Sequence, residues 1–461
     1  MEQFCEKVFH LKENHTTMRT EIIAGITTFM TMAYILIVNP SILSATGMDK
    51  GALLTVTAIA SALGTFFMAA FANYPFALGP GMGLNAYFAY TVCLQMGNTW
   101  EMALSAVLVE GIIFVILSLT SIREAIFNAI PMTLKQAISV GIGLFIAFIG
   151  LLNSRIIVAN QATKVSLYSF TKAMADGTFH SVGITVLIAM VGILLTSFLI
   201  IKNVRGNILF GILGTWILGM ICEATGLYVP NPELGTFSVF PDLSRGLASF
   251  APISPTPLFL QLDFSHVLSL NFFAVIFAFL FVDTFDTLGT LIGVAAKSDM
   301  LDEKGQLPHI KGALMADACA TCTGALLGTS TVTTFVESAA GVSEGGRTGL
   351  TSITVAILFL LSLFFSPFFM AIPSFATAPA LVIVGFLMFS SVTKINMTDL
   401  TEAIPAYIAI IAMPFAYSIS EGISFGVITY VIMNLFAGHK DKISGLMYVL
   451  AVLFVLKYVL L

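Results

Sequence analysis

The sequence predicts an all-α polytopic membrane protein of about 14 spans, built as a seven-plus-seven inverted repeat with short extended segments in the third and tenth spans. Three observations carry this reading: composition, the lengths of the apolar stretches, and a set of short motifs that recur in order. Of 461 residues, 57% are hydrophobic and 10% charged, against about 25% charged in soluble globular chains. A chain so poor in charge belongs in a bilayer. The formal net charge of -5 offers no basic face to nucleic acid. Met1 to Thr20 is polar, so no cleavable signal peptide is expected and the first span itself directs the chain to the membrane.

Apolar stretches of about 17 to 25 residues are the spanning unit. On that basis the spans fall at 21–42, 52–72, 81–95, 101–120, 134–152, 182–201, 207–227, 266–296, 310–328, 330–342, 348–371, 374–392, 403–419 and 422–437. Leu446 to Leu461, beyond the basic turn Gly438-His-Lys-Asp-Lys442, is a surface helix or a fifteenth span. With a cytoplasmic N-terminus and strict alternation, 14 of the 20 Lys and Arg lie on the cytoplasmic side and five outside, the bias expected of a correct topology. The longest breaks, 153–181 and 228–265, then fall outside.

The two halves resemble each other. Thr27-Thr-Phe-Met-Thr31 answers Asp283-Thr-Phe-Asp-Thr287, and Gly51-Ala-Leu-Leu54 answers Gly312-Ala-Leu-Met315. Ala129-Ile-Pro131 answers Ala371-Ile-Pro373, and Phe210-Gly-Ile212 answers Phe425-Gly-Val427. Seven spans is an odd number, so the second copy enters from the opposite side, an architecture that recurs in secondary transporters. Such folds hold their site near the bilayer midplane, where interrupted segments meet. The interruptions here are Leu78-Gly-Pro-Gly-Met-Gly-Leu-Asn85, with Pro80 lacking an N–H, and Gly328-Thr-Ser-Thr-Val-Thr-Thr-Phe-Val-Glu337, rich in β-branched residues. Each is expected to lead into a half-helix whose N-terminal amides face a cavity, because extended backbone inside a membrane is tolerated only where it is buried in protein or lines water.

The acids stand out against this background. Asp283 and Asp286 lie inside an apolar span, where each costs about 2.5 to 3.5 kcal/mol on insertion scales, and with Thr290 they follow i, i+3, i+7 spacing on one helical face. Desolvation and like charge both favour a protonated carboxyl, which makes Asp283, Asp286 and Glu337 the candidate proton carriers. Asp317 and Glu110 are read as structural acids, and Arg347 as an interfacial cation. Cys319-Ala-Thr-Cys322 is read as helix packing, since no second Cys pair or His accompanies it. The run Gly79-Pro-Gly-Met-Gly83 follows no strand of a βαβ unit and is not a nucleotide loop. No nucleophile-base constellation appears, so neither catalysis nor a cofactor or metal is expected.

From about Arg19 to Gly438 the chain resembles the AzgA-like guanine/hypoxanthine (purine) permeases of the nucleobase-ascorbate transporter superfamily. The matching motifs are Gly79-Pro-Gly-Met-Gly-Leu-Asn-Ala-Tyr87, Asp283-Thr-Phe-Asp-Thr-Leu-Gly-Thr290, Thr331-Val-Thr-Thr-Phe-Val-Glu-Ser-Ala-Ala-Gly341 with Gly345-Gly-Arg-Thr-Gly349, and Ala378-Pro-Ala-Leu-Val-Ile-Val-Gly-Phe-Leu-Met388. The resemblance implies a core domain (21–120 and 266–371) and a gate domain (134–227 and 374–437), flanked by a cytoplasmic segment 1–20, an external loop 228–265 and a C-terminal turn and apolar helix 438–461. It implies proton-coupled import of purine bases through elevator-like movement of core against gate in the cell membrane. Asn85, Asp283 and Glu337 would bind substrate, joined by Thr28, Ser338, the amides of Phe335 to Ser338, and a stacking ring from Phe29, Phe285, Tyr87 or Phe335. Carboxylates suit the ring N–H donors of guanine and hypoxanthine, and an amide suits their carbonyl. Thr284 and Phe335 depart from the larger apolar residue and the Tyr common in the family. The implied partners are a purine nucleobase, a proton and membrane lipid, with a homodimer left open. An anion transporter of the same inverted-repeat fold is the alternative, and it would place a cation or bare half-helix amides at the crossing.

Overall fold

The computed structural model describes residues 2–120, 130–244, 246–265, 267–296, 300, 307–308 and 310–460. Its helices, in chain order, begin with α1 (Glu2–Phe9), α2 (Met18–Met32), α3 (Ile35–Leu43) and α4 (Lys50–Ala72). Strand β1 (Leu78–Pro80) leads into α5 (Met82–Ala86) and a π-helical stretch, Tyr87–Gln95, before α6 (Trp100–Ser118) and α7 (Met132–Asn153). A hairpin of β2 (Ile157–Asn160) and β3 (Lys164–Leu167) with α8 (Phe170–Ala175) fills a segment that the sequence left as a plain break. Next come α9 (Ile184–Ile201), α10 (Asn207–Ala224), α11 (Leu270–Ala296) and α12 (Ile310–Leu327). Strand β4 (Val332–Thr334) leads into α13 (Ser338–Ser343), followed by α14 (Gly349–Ser362), α15 (Ser366–Ala371), α16 (Ser374–Phe389), α17 (Leu400–Phe415), α18 (Ile419–Phe436) and α19 (Gly445–Leu460).

Among the described residues, eleven helical stretches are long and apolar enough to cross a membrane. The three other expected spans are short for a physical reason. Residues 81–95 are the short α5 running on into the π-helical stretch behind β1, residues 330–342 are divided between extended backbone and the short α13, and α17 is a 16-residue helix carrying Pro405 and Pro414. The eighth span starts later than expected, at Leu270 rather than 266. Large apolar side chains lie exposed along the spans, Leu194, Phe415 and Phe436 among them, as a lipid-facing surface requires.

The helices pack as two groups, each drawing on both halves of the chain. One contains α2, α4, α6, α11, α12 and α14, and the other α7, α9, α10, α16, α17 and α18. Glycines set the closest approaches. A Cβ on Gly143 of α7 would lie 2.5 Å from the Gly385 carbonyl oxygen of α16, and one on Gly64 of α4 would lie 2.9 Å from Cβ of Ala320 on α12. Gly143 follows Pro131 at the same interval at which Gly385 follows Pro373, so α7 and α16 meet at equivalent points of the two repeats. In α19, Met447, Leu450, Ala451 and Phe454 form one buried face against α18 and against Phe277 of α11, whose ring lies 5.5 Å from that of Phe454.

Candidate functional site

The centre of the first packing group is a two-stranded antiparallel crossing, Leu78 opposite Thr334, Gly79 opposite Thr333 and Pro80 opposite Val332. Extended backbone cannot satisfy itself, so its polar groups need partners. The Gly81 N–H donates to the Thr331 carbonyl at 3.0 Å and the Phe335 N–H to Ala77 at 2.9 Å, which extends the ladder at both ends. On the outer edges one threonine from each repeat completes the set. The Thr65 hydroxyl on α4 accepts from the Leu78 N–H at 2.9 Å, and the Thr321 hydroxyl on α12 donates to the Val332 carbonyl at 3.1 Å. Short strands are thereby held in place without a larger sheet.

The acids gather on this crossing. The Thr287 hydroxyl oxygen lies 3.0 Å from Asp283 Oδ1, 3.1 and 3.0 Å from the two oxygens of Asp317, and 2.8 Å from the Thr333 hydroxyl. All four residues are buried. One hydroxyl owns one hydrogen and cannot donate to both carboxylates at once. With both ionised, one carboxylate would face the Thr287 oxygen with no hydrogen between them. A proton on either acid closes the set, with O–H donating to Thr287 and Thr287 donating to the other carboxylate. Asp286 stands on the same helix, and its Oδ2 comes within 3.5 Å of where a Cβ on Gly81 would lie. From the opposite strand end, Glu337 receives the Tyr34 hydroxyl at 2.6 Å. Tyr34 occupies the break between α2 and α3, so the first span is interrupted where its side chain reaches the second repeat.

This constellation sits in a recognisable sequence. The chain matches the model of the Permease family over residues 19–425. It belongs to that family, the nucleobase-ascorbate transporters. A putative permease of Methanocaldococcus jannaschii is 50% identical to it over 457 residues, covering 99% of this chain and 98% of that one. The guanine/hypoxanthine permease PbuO of Bacillus subtilis is 44% identical over 451 residues (97% and 98%). The adenine permease AdeP of Escherichia coli is 41% identical over 454 residues (98% and 96%). Among solved structures, the transmembrane domain of the cyanobacterium bicarbonate transporter BicA superposes with a TM-score of 0.63 at 16% identity, covering 88% of this chain and 97% of that one. Murine Solute Carrier 26 family member A9, an anion transporter in its inward-facing state, gives 0.62 at 12% identity (91% and 68%). At such identities the permease shares their fold and nothing more is carried over.

Several residues expected in the permease's site are occupied by its frame. Asn85 accepts a short hydrogen bond from the Ser330 hydroxyl and donates to the Pro80 carbonyl at 3.4 Å, tying one repeat's half-helix to the other's strand. The Ser338 hydroxyl accepts from the Ala77 N–H at 2.9 Å. The amides of Phe335 and Ser338, expected to face substrate, donate instead to Ala77 and Phe335. The Phe335 ring packs on Gly79, Phe29 meets Phe359 edge to face, and Tyr87 meets Phe279 in the same way. Thr28 is buried against Gly341 of α13. The side chain of Phe285 lies outside the described residues. Arg347 donates to the carbonyls of Val342 and Gly346, closing the turn after α13. Cys319 and Cys322 are free thiols, and Cys322 packs on Gly111 of α6.

Sequence reasoning missed Thr287, Thr333 and Tyr34 and set Asp317 aside as structural. Thr287 carried a signal, since it stands four residues after Asp283 and matches Thr31 of the first repeat. Asp317 carried one too, being a buried acid in an apolar span. Tyr34 carried none.

Proposed function

We propose that the permease imports purine nucleobases, guanine and hypoxanthine with adenine as a further substrate, by proton symport across the cell membrane. The observation that carries this reading is the convergence of Asp283, Asp286, Asp317 and Glu337 on the crossing of β1 and β4, with no Lys or Arg between residues 270 and 296 or between 312 and 346. Acceptor groups at the midplane suit a neutral heterocycle that presents N–H donors, and the names of the relatives PbuO and AdeP agree with such a substrate. An anion would meet carboxylates there, which argues against the anion-transport alternative despite the shared fold.

In this reading Glu337 and Asp283 accept from the base. The remaining Asn85 amide hydrogen serves its carbonyl, while Phe335, Ser338 and Thr28 hold the half-helices in place. The coupling proton resides on the set Asp283, Thr287 and Asp317, with Asp286 and Glu337 close by. The first packing group is the core and the second the gate. Fourteen crossings, with the N-terminus cytoplasmic, put the ion pair of Arg205 with Glu344 on the cytoplasmic side, joining gate to core. Sliding of the core relative to the gate would carry the crossing from one face of the membrane to the other. Uptake of radiolabelled hypoxanthine, competed by guanine, adenine, xanthine and uracil with and without an uncoupler, tests the whole reading. Competition by purines and collapse with uncoupler are expected. Uncoupler-resistant uptake, or competition by bicarbonate in place of purines, would refute it.

A further inference from the structure

Ser444 caps the last helix, its hydroxyl accepting from the Met447 N–H at 3.3 Å. From there α19 runs 16 residues, Gly445–Leu460, about 24 Å of helix. A helix lying on a membrane surface needs a strongly polar or charged face toward water. Among its described residues α19 shows no such face. Met447, Leu450, Ala451 and Phe454 are buried, while Val449, Val452, Leu453 and Leu456 are exposed on the other side. Its one charged residue, Lys457, stands in the last turn. A helix apolar all round is a core helix or a membrane span.

The two ends of α19 are pinned near opposite ends of α18. Just before α19 starts, the Lys442 ammonium lies 2.7 Å from Asp399, and the Lys442 carbonyl accepts from the Tyr430 hydroxyl at 3.4 Å. Asp399 is the N-cap of α17, and the first turn of α17 meets the last turn of α18 where the Asn434 amide donates to the Thr401 carbonyl at 3.3 Å. Where α19 finishes, Tyr458 donates a short hydrogen bond to Glu421, and its ring stacks on Phe425 with centroids 5.5 Å apart. Glu421 belongs to the first turn of α18. Glu421 and Asn434 are 13 residues apart, about 20 Å along the helix, and α19 retraces that distance antiparallel to α18. Between its ends it also touches the other packing group, the Phe454 ring lying 5.5 Å from Phe277 and 6.4 Å from Phe281 of α11.

We propose that α19 is a fifteenth membrane crossing and a member of the gate: it returns the chain to the face opposite the turn at 438–442, and the core helix α11 slides past its Phe454. With the N-terminus cytoplasmic, Tyr458 is external, level with the loop that joins α17 to α18. The contacts divide as this requires. Toward α17 and α18 the segment 442–458 is held by an ion pair, hydrogen bonds and a stacked ring, which fix position. Toward α11 it presents the Phe454 ring to two others, and apolar contact of that kind is non-directional and survives sliding. Tyr458 is a positioning residue that ties the far end of α19 to α18. The crossing stands on its own, whereas the sliding rests on the core-and-gate reading above.

The test uses the full chain in Escherichia coli with a reporter fused after Leu461, alkaline phosphatase, active only outside the cytoplasm, or green fluorescent protein, fluorescent only within it. Lys440→Cys, probed with a membrane-impermeant maleimide, reports the other end of the helix. Active phosphatase, dark fluorescent protein and labelling of residue 440 only after permeabilisation are expected. A reporter on the same face as residue 440 would overturn the crossing; opposite faces in the reverse orientation would keep it and overturn only the cytoplasmic N-terminus. Gate membership is read in a chain whose five native cysteines are replaced, using a short reducible bifunctional thiol reagent. Phe425→Cys with Tyr458→Cys links α19 to α18 and is expected to leave hypoxanthine uptake intact, whereas Phe277→Cys with Phe454→Cys links α19 to α11 and is expected to stop uptake until the link is reduced. Uptake that survives the second link, or is lost with the first, would overturn gate membership. An unlinked chain that carries no purine would sink the function proposed above and leave the topology result standing.

Discussion

Replacing Thr287 by Val isolates the group that holds the acids together. The substitution preserves shape and removes a hydroxyl lying 3.0 Å from Asp283, 3.0 Å from the nearer oxygen of Asp317 and 2.8 Å from Thr333. A hydrogen bond to a charged group contributes about 1.5 to 3 kcal/mol, and every 1.4 kcal/mol is about a factor of ten. If binding and coupling both use this arrangement, Thr287→Val lowers kcat/KM for hypoxanthine by about 10- to 150-fold and moves the pH profile, while Thr287→Ser restores both. Initial-rate uptake in vesicles across pH 5 to 8, at matched protein levels, gives the readout. A valine variant with wild-type KM and an unmoved profile would show that the cluster is scaffolding, and the acid-centred account would fail with it.

Three further perturbations test the frame. Glu21, fully buried on α2, accepts from the N–H groups of Arg347 at 2.8 Å and Thr351 at 3.2 Å and from the Thr351 hydroxyl at 2.6 Å. Stranding buried donors costs about 1 to 3 kcal/mol each, so Glu21→Ala should lower the melting temperature in detergent far more than Glu21→Gln. Gly143→Ala places a methyl 2.5 Å from the Gly385 carbonyl and should destabilise by about 1 to 3 kcal/mol through overpacking; Gly445→Ala, which meets nothing within 4 Å, is the neutral control. At the end of α17, the Lys442 ammonium, 2.7 Å from Asp399, together with Thr401 holds the Asp399 carboxyl down to about 2. A depressed carboxyl stabilises the fold above its unfolded value, about 3.9, and that contribution disappears as pH falls toward 2. Melting curves of wild type and Asp399→Asn should therefore differ at pH 6 and converge between pH 4 and 2; a gap that persists at pH 2 would contradict the assignment.

Much of the frame was legible because it follows from solvation. Apolar length located the helices, and helix-breaking residues at 78–81 and 328–334 marked where backbone leaves helical form. The site was legible only as a list of costly residues. Asp283, Asp286 and Glu337 stood out because a carboxylate in hydrocarbon is expensive, and that rule extends to Asp317 and Glu110. The rule does not say which polar groups are consumed internally. Asn85 and Ser338 read as ligands in the sequence, and the structure adds hydrogen bonds between them and Pro80, Ser330 and Ala77 that leave Asn85 one amide hydrogen to spare. A strand pair in a membrane needs such partners, and one sequence read residue by residue does not reveal who supplies them. Tyr34 was illegible for a related reason, since its contact with Glu337 joins residues 303 apart in the chain.

The division of labour between the two repeats follows from the same geometry. The frame is shared evenly: Thr65 and Thr321 each secure a strand, and Gly143 and Gly385 each admit the other's helix. The chemistry is not. Where the second copy has Asp283, Asp286 and Thr287, the first has Thr27, Met30 and Thr31, and the Thr31 hydroxyl lies closest to a carbonyl of its own helix, Thr28 at 2.8 Å, with the Glu337 carbonyl of the second repeat at 3.4 Å. Duplicating the acids would double the number of buried charges around one crossing, each unfavourable by several kcal/mol when ionised. Confining these two aspartates to one copy keeps that cost compatible with folding and leaves a small group of carboxyls on the crossing. The expectation follows that Thr27→Asp, which restores the symmetry, lowers stability and transport together, while Thr27→Ser alters neither. Melting and uptake measured on the same preparations would refute the argument if the aspartate were tolerated without loss.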